Sequence, residues 1–253
     1  MIELRNVHKK FGRHVVLDGV NFSVALGETV ALLGPSGSGK SVLLKHIIGL
    51  MRPDRGDVLV EGESVPNLSR KALSALRGRI GYAFQTGALF DSMTVYENIR
   101  LGITDDQCYR DREFCRARVA ECLRLVNLSE DVGRLMPAEL SGGMRKRVGI
   151  ARAIAGHPKY LLYDEPTSGL DPVNADAMDA LIEGLQKELH ATSIVVSHDV
   201  RGSFKIADRI ALLHNGRIRV VGTAEEFMAA KDAVVQEFLE RDIAFAAGGG
   251  GGR

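Results

Sequence analysis

The sequence has no dominant charge. Thirty-three Lys and Arg stand against 32 Asp and Glu, a net +1, so no global field draws the chain to nucleic acid or to an acidic surface. Long apolar runs are also missing. Stretches such as "YLLY" and "SIVVS" fall far short of the ~20 residues that cross a bilayer, and "MIELRN" opens with charge where a signal peptide needs an apolar segment. A cytosolic chain is expected, unless another protein carries it to a membrane. Cysteine is scarce. Cys108, Cys115 and Cys122 are spaced by seven, which invites a metal or redox reading. One helix over "REFCRARVAECLRLVNL", however, separates Cys115 from Cys122 by about 10 Å along its axis, too far for a disulfide and awkward for one metal ion. Packing along an inward stripe is the plainer role. There is no internal repeat, and strand-like alternation vanishes between about Thr94 and His157.

What is present is enough apolar material for a sizeable core: 45% of 253 residues. "IELRNVHKKF" and "GVNFSV" alternate as strands, and the apolar "TVALLG" follows. From Ser41 to Leu50 the pattern turns helical; "GDVLVEG" and "RIGYAFQ" return to strands around a short helix, "RKALSALR". "REFCRARVAECLRLVNL" and "GGMRKRVGIARAIAG" predict helices in the strand-free stretch, an inserted α-helical subdomain in an α/β core. Strands resume at "KYLLYDE" and "ATSIVVSHD" around the helix "VNADAMDALIEGLQKEL", so the sheet is expected to be mostly parallel with helices on its faces. "ADRIALLHNGRIRVVG" predicts a hairpin across "HNGR". The closing "GGGGGR" reads as a low-complexity, disordered end. The expected organisation is a single domain over about 1–245, its core about 1–90 and 158–222, the helical subdomain about 91–157, C-terminal helices about 223–245 and a glycine-rich tail 246–253.

"GPSGSGKS", Gly34 to Ser41, matches the phosphate-loop pattern in full, after an apolar strand and before a helix. Its residues Gly34, Pro35, Ser36, Gly37, Ser38 and Gly39 can turn backbone N–H groups onto phosphate oxygens at a helix N-terminus. Lys40 then reaches the β and γ phosphates and the Ser41 hydroxyl ligates Mg2+. A glycine-rich turn with an incidental lysine is the bland alternative.

"YLLYDEP" supplies a second half: a buried apolar strand ending in Asp164 and Glu165. A carboxylate there is costly to desolvate without a cation, and magnesium held by Ser41 provides one for Asp164. Glu165 is then the candidate general base toward the attacking water. His198 after "SIVVS" is placed to reach the γ-phosphate edge, or is only a satisfied histidine at a strand end. Gln85 at the end of "YAFQ" can ligate magnesium or orient water, or merely cap a strand. Phe11 can stack on adenine, or pack in the core.

"AELSGGMRKR" adds a second anion cradle without a lysine of its own. Such a cradle is useful for a phosphate bound elsewhere, and the economical arrangement is a two-fold dimer. In it Ser141, Gly142 and Gly143 of each copy cap the γ-phosphate held by Lys40 of the other. The basic cluster Arg145 to Arg147 reads as a solvated helix face.

Taken in order, the phosphate loop, "LSGGM", "YLLYDEP", "SGLD" and "SHD" resemble the ATPase subunit of ABC transporters, over Met1 to about Phe238. The resemblance implies a P-loop NTPase core of RecA-like type with an N-terminal antiparallel β part, ATP and Mg2+ as cofactors, and an ATPase that drives transport from the cytoplasmic side of the inner membrane through an integral-membrane permease. It matches Phe11 to the adenine-stacking aromatic, Gln85 to the glutamine of the loop facing the permease, Glu165 to the catalytic base and His198 to the switch histidine. Asp171 matches the acidic residue that touches the partner subunit. Met144 stands where the usual signature has Gln. "GALF" after Gln85 together with "LSGGM" is similar to the ATPases of Mla (Mkl-type) phospholipid transport systems, which implies an MCE-type lipid-binding protein among the partners. Leu89 and Phe90 either receive a permease helix, at roughly 1.5 to 3 kcal/mol each, or pack inside the helical subdomain. An importer of amino acids or other small solutes is the alternative within transport. A soluble ABC-type ATPase on ribosomes or DNA is disfavoured by the single nucleotide module, the missing heptads and the neutral charge, so no nucleic-acid partner is expected. A small regulatory subunit and a grip of "QEFLERDIAF" on the opposite subunit stay open.

Overall fold

The computed structural model describes residues 1–103 and 111–248, with side chains through Glu240. Cys108 and the last residues of the glycine-rich end, 249–253, lie outside the described residues. In chain order the elements are β1 (Ile2–Phe11), β2 (His14–Val24), β3 (Thr29–Leu33), α1 (Lys40–Ile47), β4 (Arg55–Val60), β5 (Glu63–Ser64), α2 (Arg70–Gly78), β6 (Ile80–Ala83), α3 (Val95–Arg100), α4 (Arg112–Leu125), α5 (Gly142–Ile154), β7 (Tyr160–Asp164), α6 (Pro172–Leu189), β8 (Thr192–Ser197), α7 (Val200–Ile206), β9 (Arg209–His214), β10 (Arg217–Gly222), α8 (Ala224–Met228) and α9 (Ala233–Gly248). They divide into two compact units, Met1–Leu68 with Ile194–Arg253, and Ser69–Ser193.

The first unit carries an antiparallel sheet in the order β2-β1-β4-β5. Its β1 residues Ile2, Leu4 and Val7 are buried and so are Val20, Phe22 and Val24 of β2, with Leu4 opposite both Phe22 and Val58. A second group of strands runs β10-β9-β3-β8. The apolar "TVALL" of β3 is buried at every position and pairs in parallel with β9 from Val30↔Arg209 to Leu33↔Leu212. An uninterrupted apolar strand of this kind is what burial on both faces demands. The β9–β10 hairpin turns through Asn215 and Gly216 at φ 49 and 72, the two positive angles that a tight Asn-Gly hairpin needs. Behind these strands, Ala31, Leu33, Ile210, Leu212, Phe227 and Val235 form one core cluster, in which Phe204 meets Phe227 edge-on at 6.0 Å.

In the second unit β6 and β7 pair in parallel, Ile80↔Tyr160 through Ala83↔Tyr163, and the unit takes in these strands as well as the helical stretch 91–157. Helix α5 lies tight on β6: a Cβ at Gly81 would fall 2.3 Å from the Ala153 carbonyl oxygen. The end of α5 is capped from α4. Arg118 is 3% exposed, and its guanidinium donates to the carbonyls of Ala155 and Ile154 at 3.0 and 2.6 Å, placing a cation where the helix dipole is negative. Cys115 and Cys122 of α4 are buried as packing residues, and burial pushes the Cys122 thiol up to about 11. Asn98 of α3 is fully buried. It accepts from the Phe90 N–H at 2.8 Å and donates to the carbonyls of Phe90, Met93 and Thr94 at 3.0 to 3.1 Å.

Several expected boundaries shift. Strand β6 stops at Ala83, because Phe84 opens a turn closed by the Gly87 N–H on the Phe84 carbonyl at 2.8 Å; Gln85 lies in that turn and not in the strand. Helix α4 stops at Leu125, short of the expected "VNL", where Asn127 takes φ 55, a left-handed residue of the kind that ends helices. Helix α9 runs on through Ala246, Ala247 and Gly248, the first residues of the tail read as disordered; the alanines are the strongest helix formers.

Candidate functional site

In the first unit the phosphate loop is wedged between β2 and the end of β9. Gly34 at φ +155 could carry no Cβ, which would meet the Leu213 carbonyl oxygen at 2.3 Å, and Gly39 at φ +104 would drive one into Val16 at 2.9 Å. Gly39 is also the N-cap of α1, so no side chain occupies the place from which a Ser or Asp would satisfy the first-turn N–H groups. Lys40 is 4% exposed; its Nζ donates to the carbonyls of Gly34 and Pro35 at 2.7 and 3.1 Å. The Ser38 hydroxyl oxygen is buried without a hydrogen-bond partner, and Ser41 follows in the first turn of α1, half-buried. The loop borders a cleft of about 400 Å³ whose other walls include His14, Val16, Asp18 and Asn215. A glycine cradle that a Cβ would fill, a buried ammonium and an unsatisfied buried hydroxyl together fit a polyphosphate.

Phe11 is the last residue of β1 and 47% exposed, so it does not pack in the core. Its ring lies 5.7 Å from the Lys9 ammonium, and it is not among the walls of the cleft. His198 is exposed, directly after β8. The next residue, Asp199, caps α7 through the Gly202 N–H at 3.1 Å.

In the second unit β7 delivers Asp164, 8% exposed, at its last position. Tyr82 of β6 donates its hydroxyl to Asp164 Oδ2 at 2.8 Å. Burial, and after it the Asp164 charge, push the Tyr82 phenol far above its ordinary range, so it stays a donor. Glu165 follows in a left-handed conformation, φ 50. Gln85 Nε2 reaches Glu165 Oε2 and Ser168 Oγ, each at 3.2 Å. The structure thus brings Gln85, Asp164 and Glu165 together. Their oxygen donors are of the hard type that suits Mg2+. Among the described residues no group of three His, Cys, Asp or Glu could hold a metal ion.

Ser141 caps α5 by accepting from the Met144 N–H at 3.2 Å. A Cβ on Gly142 would meet nothing within 4 Å, and one on Gly143 only Leu170 at 3.9 Å. Neither has a positive φ, so packing among the described residues makes no demand for glycine here. Asp171 caps α6, accepting from the Asn174 N–H at 3.1 Å and from its side-chain amide at 2.6 Å; the Asn174 side chain first of all holds the Asp171 carboxyl below its ordinary value.

Sequence reasoning missed Tyr82 and Lys146. Strand alternation places Tyr82 and Phe84 on one side of the chain, and their rings meet at a 44° tilt with centroids 4.3 Å apart, but nothing in the pattern pairs Tyr82 with a carboxylate 82 residues away. Lys146 does not fit the reading of Arg145 to Arg147 as a solvated face: its Nζ donates to the carbonyls of Glu165, Pro166 and Ser168.

Residues 17–168 match the family model described as ABC transporter. The chain is 39% identical over 238 residues to the probable ribonucleotide transport ATP-binding protein mkl of Mycobacterium leprae, covering 94% of this chain and 68% of that one. It is 38% identical over 240 residues to the intermembrane phospholipid transport system ATP-binding protein MlaF of Haemophilus influenzae, covering 95% and 90%. It is 41% identical over 245 residues to the sulfate/thiosulfate import ATP-binding protein CysA of Bradyrhizobium diazoefficiens, covering 96% and 70%. The dimeric structure of a post-hydrolysis state of the ATP-binding cassette MJ0796 bound to ADP and Pi superposes with a TM-score of 0.79 at 34% identity, covering 88% of this chain and 99% of that one.

Proposed function

The chain belongs to the ABC transporter family and is an ATPase, the ATP-binding motor of a transporter; from that premise we propose that it moves phospholipids, working as a dimer with an integral-membrane permease and an MCE-type lipid-binding protein. The observation that supports the dimer is the glycine pair at the start of α5, which this chain's own packing does not require. Ser141, Gly142 and Gly143 serve a phosphate held by the other copy. The lipid reading rests on the likeness to MlaF, of which the chain covers 90%. The 41% identity to CysA favours, as a second reading, an importer of a small solute.

Bound ATP supplies the transferable phosphoryl group, and bound Mg2+ neutralises its developing charge. Lys40 exchanges its two loop carbonyls for phosphate oxygens, a charge-assisted replacement for neutral acceptors. Ser41 and Asp164 would hold the metal, Tyr82 fixing one Asp164 oxygen. Glu165 accepts the proton of the attacking water, and Gln85, already bonded to Glu165, orients carboxylate and water together. His198 contacts the γ-phosphate, Phe11 stacks on the adenine and Asp171 touches the partner subunit. No helix among the described residues is long and apolar enough to cross a membrane. In this reading the motor is held at the cytoplasmic face of the inner membrane through its permease, docked on the apolar loop of Leu89 and Phe90, the latter 55% exposed.

Mass spectrometry of the complex that co-purifies with the chain from its native membrane in mild detergent tests this reading. A permease with an MCE protein and phospholipid is expected. A permease with a solute-binding protein would move the function to small-solute import, and recovery only with ribosomes or DNA in the soluble fraction would overturn membrane coupling.

A further inference from the structure

Lys146 lies in the second turn of α5, the helix whose first residues are the glycines of the phosphate cap. Its Nζ donates at 3.4, 3.0 and 2.5 Å to the carbonyls of Glu165, Pro166 and Ser168. An ammonium has three donors and no acceptor, and here all three go to one short turn. That turn contains Glu165 in a left-handed conformation, which a residue with a Cβ keeps only where its surroundings fix it. Helix α5 is fastened to the Gln85 loop as well. Arg152 donates to the carbonyls of Gly87 and Ala88, each at 2.8 Å, and a Cβ on Gly149 would fall 2.8 Å from the Gly87 Cα. One helix therefore carries the capping glycines at its start and grips both segments that meet at Gln85 and Glu165.

We propose that Lys146 is a positioning residue for Glu165, making the 165–168 turn move as part of α5, so that engagement of Ser141 to Gly143 sets the carboxylate of the same chain. The inference rests on the proposed roles of Glu165 as base and of Ser141 to Gly143 as cap. A lysine suits the task because its flexible stem lets one cation point at three carbonyls, which the planar guanidinium of Arg cannot do at once. Burial pulls the Lys146 ammonium below its ordinary value and the Glu165 charge pulls the other way, so the strut stands in partly dehydrated surroundings where its bonds are worth more than in water.

The test compares Lys146→Met, Lys146→Gln and Lys146→Arg with the parent in three measurements: steady-state ATP hydrolysis across ATP concentration, binding of a fluorescent ATP analogue, and thermal melting without nucleotide. Loss of carboxylate positioning predicts a kcat about 10- to 100-fold lower in Lys146→Met, with analogue affinity within about twofold of the parent because Lys40 and its loop are untouched. Lys146→Arg should recover part of kcat, since it still reaches some of the carbonyls. Unchanged kcat in a folded Lys146→Met would overturn the inference and leave the lysine as a fold contact. If Lys146→Met does not fold, Lys146→Gln, which keeps two donors, carries the same comparison. Glu165→Gln separates the two levels: a Glu165→Gln that still turns over sinks the site reading itself, whereas an inactive Glu165→Gln beside a fully active Lys146→Met sinks only the role of Lys146.

Discussion

Tyr82 Oη and Asp164 Oδ2 stand 2.8 Å apart, joining the penultimate residue of β6 to the last residue of β7. A buried carboxylate at a strand end is thereby held in one orientation by a donor that does not ionise. Tyr82→Phe deletes that donor alone and is expected to lower stability by about 1 to 2 kcal/mol and to raise the Mg2+ concentration needed for half-maximal hydrolysis. Melting curves and a Mg2+ titration check it; an unaltered Mg2+ requirement would show that the bond is structural only.

The same residue gives an alkaline signature. Its folded pKa is raised, and so is that of the fully buried Tyr163, where burial alone is the cause. Groups raised in the fold add stability that is complete below the unfolded tyrosine value, about 10, and is lost as pH climbs above it. Of the five tyrosines, at least these two should therefore resist ionisation until the chain unfolds. Ultraviolet titration in and out of denaturant should show a deficit of at least two phenolate signals in the folded protein.

Two glycine substitutions should separate fold from function. Gly39→Ala forces a Cβ to 2.9 Å from Val16 at φ +104, and should cost about 1 to 3 kcal/mol or more together with nucleotide binding. Gly142→Ala meets no atom within 4 Å and removes a flexible residue from a helix start, so stability should stay level or rise by up to about 1 kcal/mol. Its ATP-driven dimer and its turnover should nonetheless be lost. A fully active Gly142→Ala would contradict the capping role.

Lys40→Ala and Glu165→Gln should fail in different ways. The first removes the cation and should weaken ATP binding about 10- to 100-fold, measured by calorimetry. The second keeps size and polarity but not basicity; turnover should fall about 10²-fold or more, with a dimer persisting in ATP on light-scattering chromatography. A monomer that hydrolyses normally would show Glu165 to be misassigned.

The parts of this molecule that were legible in its sequence are those whose causes are local. Four apolar residues behind a β-branched threonine in "TVALL" read as a buried strand, "HNGR" as a tight turn, and "GPSGSGKS" combines both constraints in eight residues. Gln85 was placed one element too early because Phe84 continues the alternation of β6 although the backbone has already turned. Phe11 can be read from the sequence as an adenine-stacking aromatic or as a core residue, and its exposure decides against the core. Lys146 and Tyr82 were illegible for a different reason. Periodicity tells which way a side chain leaves its own helix or strand, and both residues owe their roles to segments tens of positions away that the chain's path brings beside them.

Asn98 writes the route of the 90–94 loop in main-chain bonds, while the residue that the loop displays, Phe90, contributes only its backbone to that route. Shape and chemistry are thus stored in different places. Substitutions at position 90 can retune the surface offered to another protein without bending the loop, and one change at Asn98 would erase the shape whatever the surface says. Under the proposed docking of a permease on this loop, editing the display would change the membrane partner while the frame stays fixed.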